Sequence, residues 1–220
     1  MNYQQIPFAE VKHLIPADAW AAWRNEEHAG EFDEESVLWF GKSVVIEKLN
    51  LDAPFDEIEH VFLILVQGDL TVEKYIYNED MDGATGLIVL GDLQARNMLV
   101  GGQEVYVTGA LTVEEVFWGD YNHGDLHVRG EASAIVFVET DDYSVKIEGQ
   151  TFFTHHLDQY GSGSSDAGSI VGSSYQGLNE QAVRVLFVPE FILSDNDGTT
   201  LVRDESILAR LEAGLSLLKG

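Results

Sequence analysis

The chain has 220 residues, of which 45% are hydrophobic, enough for one main body with a full core. Its 38 acidic residues against 12 Lys and Arg give a formal charge of −26, which excludes nucleic acids and anionic membranes as favourable partners and favours a basic protein. The absence of cysteine excludes disulfides, a thiol nucleophile and a Cys-ligated zinc site.

Residues 1–40 are predicted to form an N-terminal helical cap. The stretch PADAWAAWRNEEHA at 16–29 starts with a helix-compatible proline and carries Trp20 and Trp23 three residues apart, as amphipathic helices do. The N-terminus has no basic region followed by an apolar run, and no stretch of about 18 apolar residues occurs. We therefore expect a soluble, cytoplasmic protein that does not bind membranes.

Between residues 41 and 160 a short phrase recurs and predicts an all-β solenoid body. The copies are VQGDLTV at 66–72, VLGDLQA at 89–95, VTGALTV at 107–113, VRGEASA at 128–134 and the weaker IEGQTFF at 147–153. Their glycines are 23, 18, 21 and 19 residues apart, which excludes a helical repeat of fixed length and suits coils with constant strands and variable corners.

The alternation within each phrase predicts which side chains point into the solenoid. The expected inward column consists of Leu70, Leu93, Leu111 and Ala132. The expected outward polar ladder consists of Thr71, Gln94, Thr112 and Ser133. A further outward column should hold Asp69, Asp92 and Glu131, with Ala110 interrupting it.

Two more strands are predicted in each coil, which gives a right-handed parallel β-helix of about five to six coils. The second strands are YIY at 75–77, MLV at 98–100, VFW at 116–118 and FVE at 137–139, and the third strands are LIV at 87–89, VYV at 105–107, LHV at 126–128 and SVKI at 144–147. The corner between them varies in sequence. One corner, within WGDYNHGDLHVRG at 118–130, has enough histidine and acid for a metal or acid/base loop, but Gly119, Asp120, Asn122 and Gly124 are ordinary turn formers.

An outward stripe made of Leu65, Ile88 and Tyr106, with Leu90 beside it, is apolar where a polar surface is expected. Such a patch indicates a covering element or a partner. We favour coverage by the N-terminal helix that bears Trp20 and Trp23.

The C-terminal part is predicted to contain a loop, a strand and a helix. Residues 161–181 form a flexible loop rich in Gly and Ser, which is not a phosphate loop because no Lys follows. Residues 182–220 hold a closing strand at 182–193, interrupted by Pro189, and a helix N-capped by Asp204. Helices at both termini are expected to close the solenoid ends and keep the protein a monomer or a small homo-oligomer.

No catalytic residues, metal site or cofactor are predicted. His155 and His156 are adjacent, so in a strand they point to opposite faces, and His123 and His127 lie across a corner rather than on one helix face. Carboxylate pairs occur by chance in so acidic a chain, and hence do not indicate a glycosidase.

The repeated VxGxLxV phrases together with the YNHG corner resemble bacterial β-solenoid proteins labelled polymer-forming or bactofilin-like, over residues 62–153. That resemblance implies a short right-handed β-helix that polymerises end to end. The chain departs from the pattern in having helical segments on both sides of the body. A second interpretation, by analogy of charge and architecture, is an immunity protein that blocks a cognate bacterial toxin.

The sequence therefore predicts a non-catalytic acidic binding protein, an immunity-type inhibitor of a basic toxin domain, with a bactofilin-like scaffold as the alternative. The acids at the corners are expected to stack along one edge of the solenoid and bind the partner. The predicted partner-binding residues are Glu79, Asp80, Asp82, Asp120, Tyr121, His123, Glu139, Asp141 and Asp142.

Overall fold

The computed structural model describes residues 3–55, 60–81, 85–159, 173–174, 177–195 and 198–220. Its strands are β1 (Gln4–Pro7), β2 (Ser36–Phe40), β3 (Val44–Asn50), β4 (Leu63–Val66), β5 (Leu70–Tyr77), β6 (Gly86–Val89), β7 (Leu93–Gly101), β8 (Glu104–Val107), β9 (Leu111–Asp120), β10 (Asp125–Val128), β11 (Ala132–Glu139), β12 (Ser144–Ile147), β13 (Thr151–Asp158), β14 (Ser173–Ser174), β15 (Gly177–Leu178), β16 (Ile192–Asp195) and β17 (Gly198–Leu201). Its helices are α1 (Phe8–Val11), α2 (Trp20–Glu27), α3 (Glu180–Leu186) and α4 (Glu205–Glu212), and short 3₁₀ turns lie at Lys12–Leu14 and Pro189–Phe191.

Two parallel sheets form the β-solenoid that the repeat predicts. Sheet A has the order β1-β2-β4-β6-β8-β10-β12, and sheet B has the order β13-β11-β9-β7-β5-β3. About four turns, from β4–β5 to β10–β11, have neighbours on both sides, so the predicted five to six coils is slightly high. The predicted first and second strands of a coil are one long strand of sheet B, with a register shift such as that between Val72 and Tyr75.

The inward and outward columns follow the predicted register. The buried inward column consists of Leu70, Leu93, Leu111 and Ala132. The outward ladder consists of Thr71, Gln94, Thr112 and Ser133. The core between the sheets is therefore built from the alternate residues that the repeat indicates.

The recurrent glycine is required because successive coils approach closely. The backbone N–H of Gly109 donates to the carbonyl oxygen of Gly91 at 2.9 Å, and that of Gly130 donates to Gly109 at 3.0 Å. A Cβ on Gly109 would lie 2.6 Å from the carbonyl oxygen of Gly91, and one on Gly130 would lie 2.5 Å from that of Gly109. A larger residue at this position would force neighbouring coils apart.

Asp69 and Asp92 directly follow the recurrent glycines Gly68 and Gly91, and each forms a hydrogen bond to the backbone of the next coil. Oδ1 of Asp69 accepts a hydrogen bond from the backbone N–H of Asp92 at 3.0 Å, and Oδ1 of Asp92 accepts one from Ala110 at 2.8 Å. Asp69 and Asp92 therefore satisfy backbone donors between coils, so this predicted outward column serves the fold.

The N-terminal segment packs on the outer face of sheet A. It covers the predicted apolar stripe, because Leu65, Ile88 and Tyr106 belong to one buried cluster with residues of this segment. The contributing residues from the segment are Phe8, Val11, Ile15, Ala19 and Ala21. The predicted helix that bears Trp20 and Trp23 contributes Ala21 to this cluster, whereas the two tryptophan side chains are 38% and 44% exposed.

The C-terminal region packs on the outer face of sheet B. Helix α4 begins after Asp204, whose Oδ1 accepts hydrogen bonds from the backbone N–H groups of Ser206 at 2.9 Å and Ile207 at 3.1 Å. This confirms the predicted N-cap. Ile207 and Leu211 of α4 are buried in a cluster that includes Tyr75 of β5.

The predicted closing strand at 182–193 is wrong. Its first five residues belong to α3, which Asn179 caps by accepting a hydrogen bond from the backbone N–H of Ala182 at 3.0 Å, and Pro189–Phe191 form a 3₁₀ turn. An apolar run of this length fits a strand or a buried helix, and the Asn cap favours the helix. A strand begins only at Ile192, and β14 to β17 form a separate four-stranded sheet.

The predicted flexible loop at 161–181 lies mostly outside the described residues. Its described part contains β14 and β15, and α3 begins within it at Glu180. None of the helices in the described part of the chain is long and apolar enough to span a bilayer.

The N-terminal end of the solenoid is closed by a strand and aromatic rings. The terminal helices were expected to close the ends, but they cover the outer faces of the sheets. Strand β1 pairs antiparallel with β2 and occupies the first edge of sheet A. Tyr3 stacks on Phe55 with ring centroids 5.1 Å apart, and both rings lie near Phe40 of the first core layer. A second solenoid therefore cannot extend sheet A at this edge by parallel pairing.

Candidate functional site: the corner edge and the adjoining cleft

The corners that lead from sheet B to sheet A stack along one side of the solenoid, called the corner edge. It is formed by residues 78–81, 101–103, 119–124 and 139–143 of successive coils. The backbone N–H of Gly101 donates to Oδ1 of Asn78 at 3.0 Å, and that of Thr140 donates to the carbonyl of Gly119 at 3.0 Å. The corner edge thus carries the predicted partner-binding residues, apart from Asp82, which lies outside the described residues.

Asp120, in the middle of the corner edge, is held by a cation of the chain itself. Its Oδ2 lies 3.3 Å from Nη2 of Arg203, and its Oδ1 accepts a hydrogen bond from the hydroxyl of Thr140 at 2.5 Å. Arg203 also donates from Nη1 to the carbonyl of Asn78 at 2.9 Å and lies 4.7 Å above the ring of Trp118. The Arg203 side chain is only 4% exposed, and this burial lowers its pKa while Asp120 opposes the shift. Asp120 therefore anchors the C-terminal region.

Glu139 also has a partner within the chain. Its Oε1 lies 2.6 Å from Nε2 of His156 on the neighbouring strand β13. Of the predicted partner-binding acids, Asp120 and Glu139 are therefore committed to contacts inside the protein. The sequence carried no signal for the Arg203 contact, because that residue lies far from the repeat.

Four described acids of the corner edge are exposed: Glu79, Asp80, Asp141 and Asp142. The backbone N–H groups of Glu79 and Asp80 donate to the carboxylate of Asp52 at 2.7 and 3.2 Å. Asp52, which the repeat does not reveal, thereby fixes that corner and adds a carboxyl group beside it. The two exposed pairs lie three coils apart, or about 14 Å at ~4.8 Å per coil.

Tyr121 and His123 lie between those exposed pairs, with ring centroids 5.1 Å apart. His123 also lines a cleft of about 420 Å³ between the corner edge and α2, called the α2 cleft. The other lining residues are Trp20, Arg24, Gly102, Gln103 and Glu104. Of all six, only His123 was among the predicted site residues, because no sequence pattern relates α2 to the corner that it approaches.

Glu104 is the buried acid of the α2 cleft. It is 8% exposed, and its carboxylate accepts hydrogen bonds from the backbone N–H groups of Trp20 at 2.5 Å and Ala21 at 3.4 Å. It therefore caps the start of α2 from a distant part of the chain. Burial raises the pKa of Glu104 to about 7, although the two backbone hydrogen bonds oppose the shift, and the nearby carboxylates of Asp125 and Asp18 raise it further.

The free energy of unfolding should fall with rising pH because of Glu104. The pKa of Glu104 is about 7 in the folded protein, whereas the ordinary value is 4.5. The folded state therefore binds the proton more tightly than the unfolded state, and this stabilisation is lost as the pH rises from 4.5 through 7. Between pH 5 and 8 we expect a loss on the order of 2–3 kcal/mol.

Urea denaturation of the wild type and of Glu104→Gln at both pH values checks this loss. The difference between the two proteins cancels the contributions of the other titrating groups. The stability of Glu104→Gln relative to the wild type should rise with pH, and a constant difference would show that Glu104 does not titrate in this window.

His127 lies in a separate cluster beneath the N-terminal segment. Its Nε2 lies 3.0 Å from Oε1 of Glu148, and its Nδ1 lies 3.9 Å from Oδ2 of Asp18. These three residues offer ligand atoms within 4.8 Å of one another, as a divalent cation would need. Arg129 already lies 2.6 Å from Asp18, and Lys146 lies 3.0 Å from Glu148. We interpret the cluster as a network of hydrogen bonds and ion pairs that fastens the N-terminal segment to β10.

His127 faces outward, as its parity predicts, and the N-terminal segment buries it. It belongs to the cluster with Asp18 and Glu148, whereas His123 lines the α2 cleft. The two histidines thus belong to different groups of residues.

The chain matches no protein-family model, no curated protein and no solved structure.

Proposed function

We propose that the protein is a non-catalytic binding protein that holds a basic partner protein on the corner edge, as an immunity-type inhibitor of a bacterial toxin. The observation that carries the proposal is the exposure of two acidic pairs, Glu79 with Asp80 and Asp141 with Asp142, on one edge. In a chain of net charge −26, such a surface attracts cationic proteins and speeds their association.

The acids are also held on a rigid support. Asp52 fixes the backbone of Glu79 and Asp80 through two hydrogen bonds, and the backbone N–H of Asp141 donates to Oε1 of Gln159 at 2.8 Å. Groups that are ordered before binding lose less conformational entropy when a partner binds. The corner edge is therefore suited to binding a partner without rearrangement.

The bactofilin-like alternative receives less support. Polymerisation end to end requires a free parallel edge at each end of both sheets, but β1 lies antiparallel on the first edge of sheet A. This arrangement favours a monomer or a small closed homo-oligomer.

Removal of the exposed charges should weaken partner binding at least tenfold and reduce its dependence on salt. The edge variant carries Glu79→Gln, Asp80→Asn, Asp141→Asn and Asp142→Asn. Asp141 and Asp142 have φ of 50° and 57°, a region that Asn adopts as readily as Asp, so the variant should fold. The matched control removes four exposed acids elsewhere and carries Glu10→Gln, Glu73→Gln, Glu114→Gln and Glu131→Gln.

A basic protein captured at low salt would be purified and titrated against the wild type and both variants at several salt concentrations. The control should bind nearly as the wild type does. Equal weakening by both variants would reduce the effect to net charge and remove the corner edge from the proposal. Co-expression with a toxin identified in this way should protect cells, and failure to protect would remove the immunity role.

A further inference from the structure

Two buried residues with hydrogen-bond acceptors, Gln103 and Glu104, line the floor of the α2 cleft. The carboxylate of Glu104 receives two backbone hydrogen bonds, which leaves part of its capacity of about four unused. Gln103 beside it is 5% exposed and donates from Nε2 to Oδ1 of Asn78 at 3.1 Å. Its Oε1 is buried and has no hydrogen-bond partner among the described residues. A buried acceptor without a donor is unfavourable, and a ligand that donates hydrogen bonds would satisfy it.

The charges around this floor favour a cation. Asp125 is the register neighbour of Glu104 on the next coil, and both Asp125 and Asp18 raise the pKa of Glu104 in addition to the effect of burial. The other titratable side chains at the cleft are those of His123 and Arg24. A cation bound at Glu104 would relieve the repulsion that Asp125 and Asp18 exert on its carboxylate.

Arg24, the cation that the chain itself places at the cleft, is held away from the floor. Its guanidinium lies 5.3 Å above the ring of Trp20, and its Nε lies 3.7 Å from Oε2 of Glu31. The wall of the cleft thus already accommodates one guanidinium group by a cation–π contact. The acceptors of Glu104 and Gln103 make no described hydrogen bond to it.

We propose that the α2 cleft binds the guanidinium group of an arginine side chain presented by the partner protein. The proposal rests on the proposed function, because the cleft adjoins the corner edge at His123 and a basic partner bound there would reach it. Arginine fits better than lysine, since its planar fork can donate to Glu104 and Gln103 together. The cleft volume of about 420 Å³ admits such a side chain.

The test uses the tripeptide Ac-Gly-Arg-Gly-NH₂, its lysine counterpart and its neutral citrulline counterpart. The four indole N–H signals of Trp20, Trp23, Trp39 and Trp118 in ¹H–¹⁵N NMR spectra report where each peptide binds. The arginine peptide should shift the Trp20 signal and leave that of Trp118, which is buried beneath Arg203, unchanged. Lysine should bind severalfold more weakly and citrulline at least tenfold more weakly.

Three variants separate a binding site from a structural cap. Glu104→Gln should lower the affinity for the arginine peptide at least tenfold, whereas Glu114→Gln, on an exposed face, should leave it unchanged. Arg24→Met should tighten binding severalfold, because a competing cation is removed from the mouth of the cleft. The wild type should bind more tightly at pH 8 than at pH 6, as Glu104 ionises, and Glu104→Gln should lose that dependence.

The proposal is overturned if citrulline binds as tightly as arginine, if Glu104→Gln retains the wild-type affinity, or if the arginine peptide leaves the Trp20 signal unmoved. Failure of the proposed function is a distinct result. In that case the peptide still binds the cleft in a manner dependent on Glu104, but the edge variant keeps its full affinity for the partner protein.

Discussion

Leu111→Asp should abolish the folded state. Leu111 is 1% exposed in the middle of the inward column, between Leu93 and Ala132 on adjacent coils. Loss of a buried leucine side chain costs about 2–5 kcal/mol, and an ionised carboxylate without a partner adds several kcal/mol more. The sum approaches or exceeds the total stability of about 5–15 kcal/mol of most domains. Circular dichroism and solubility after expression should therefore report an unfolded or aggregated chain.

The next residue provides the matched control, because Thr112 lies on the outward ladder and is exposed. Its register neighbours, Gln94 and Ser133, are uncharged, so Thr112→Asp introduces no repulsion directly across the strands. The expected change in stability is below about 1 kcal/mol. Similar behaviour of the two variants would contradict the alternation on which the solenoid assignment depends.

The repeat predicted the solenoid because each coil must satisfy the same local requirements. Gly91 and Gly109 are needed where neighbouring backbones touch, and Leu93 and Leu111 are needed inside, so these constraints recur in the sequence. A helix that packs once on the outside has no such repetition. This is why residues 182–193 resembled a strand, although their first five residues continue the helix that Asn179 caps.

The candidate site was predicted only in part for the same reason. Corner acids such as Asp141 could be placed along one edge from their position between strands. Contacts between distant segments, such as Arg203 with Asp120 or Glu104 with Trp20, leave no periodic signal in a single sequence. They are recognisable only after the terminal segments have been placed on the faces of the solenoid.

Arg203→Met should destabilise the protein by about 3 kcal/mol, because one partner of a buried ion pair is removed. The guanidinium of Arg203 connects the C-terminal region to Asp120 and to the carbonyl of Asn78 and covers the ring of Trp118. Methionine can fill much of the space, but it removes the guanidinium donor from Oδ2 of Asp120 and from the carbonyl of Asn78. The expected value is at the low end of the range for buried pairs, since the Asp120 side chain is 21% exposed and retains some solvation. Urea denaturation measures the change.

Arg184→Met is the matched control, since Arg184 pairs with Glu180 at 2.8 Å on α3 but its side chain is 54% exposed. Exposed pairs contribute less than about 1 kcal/mol, so this variant should remain close to the wild type. Combining Arg203→Met with Asp120→Asn should recover part of the lost stability, because the unpaired charge is then removed as well. If Arg203→Met were as mild as Arg184→Met, the pair of Arg203 with Asp120 would contribute little, and the C-terminal region would be held by its apolar cluster and by its other polar contacts, such as that of Arg96 with the carbonyl of Gly214.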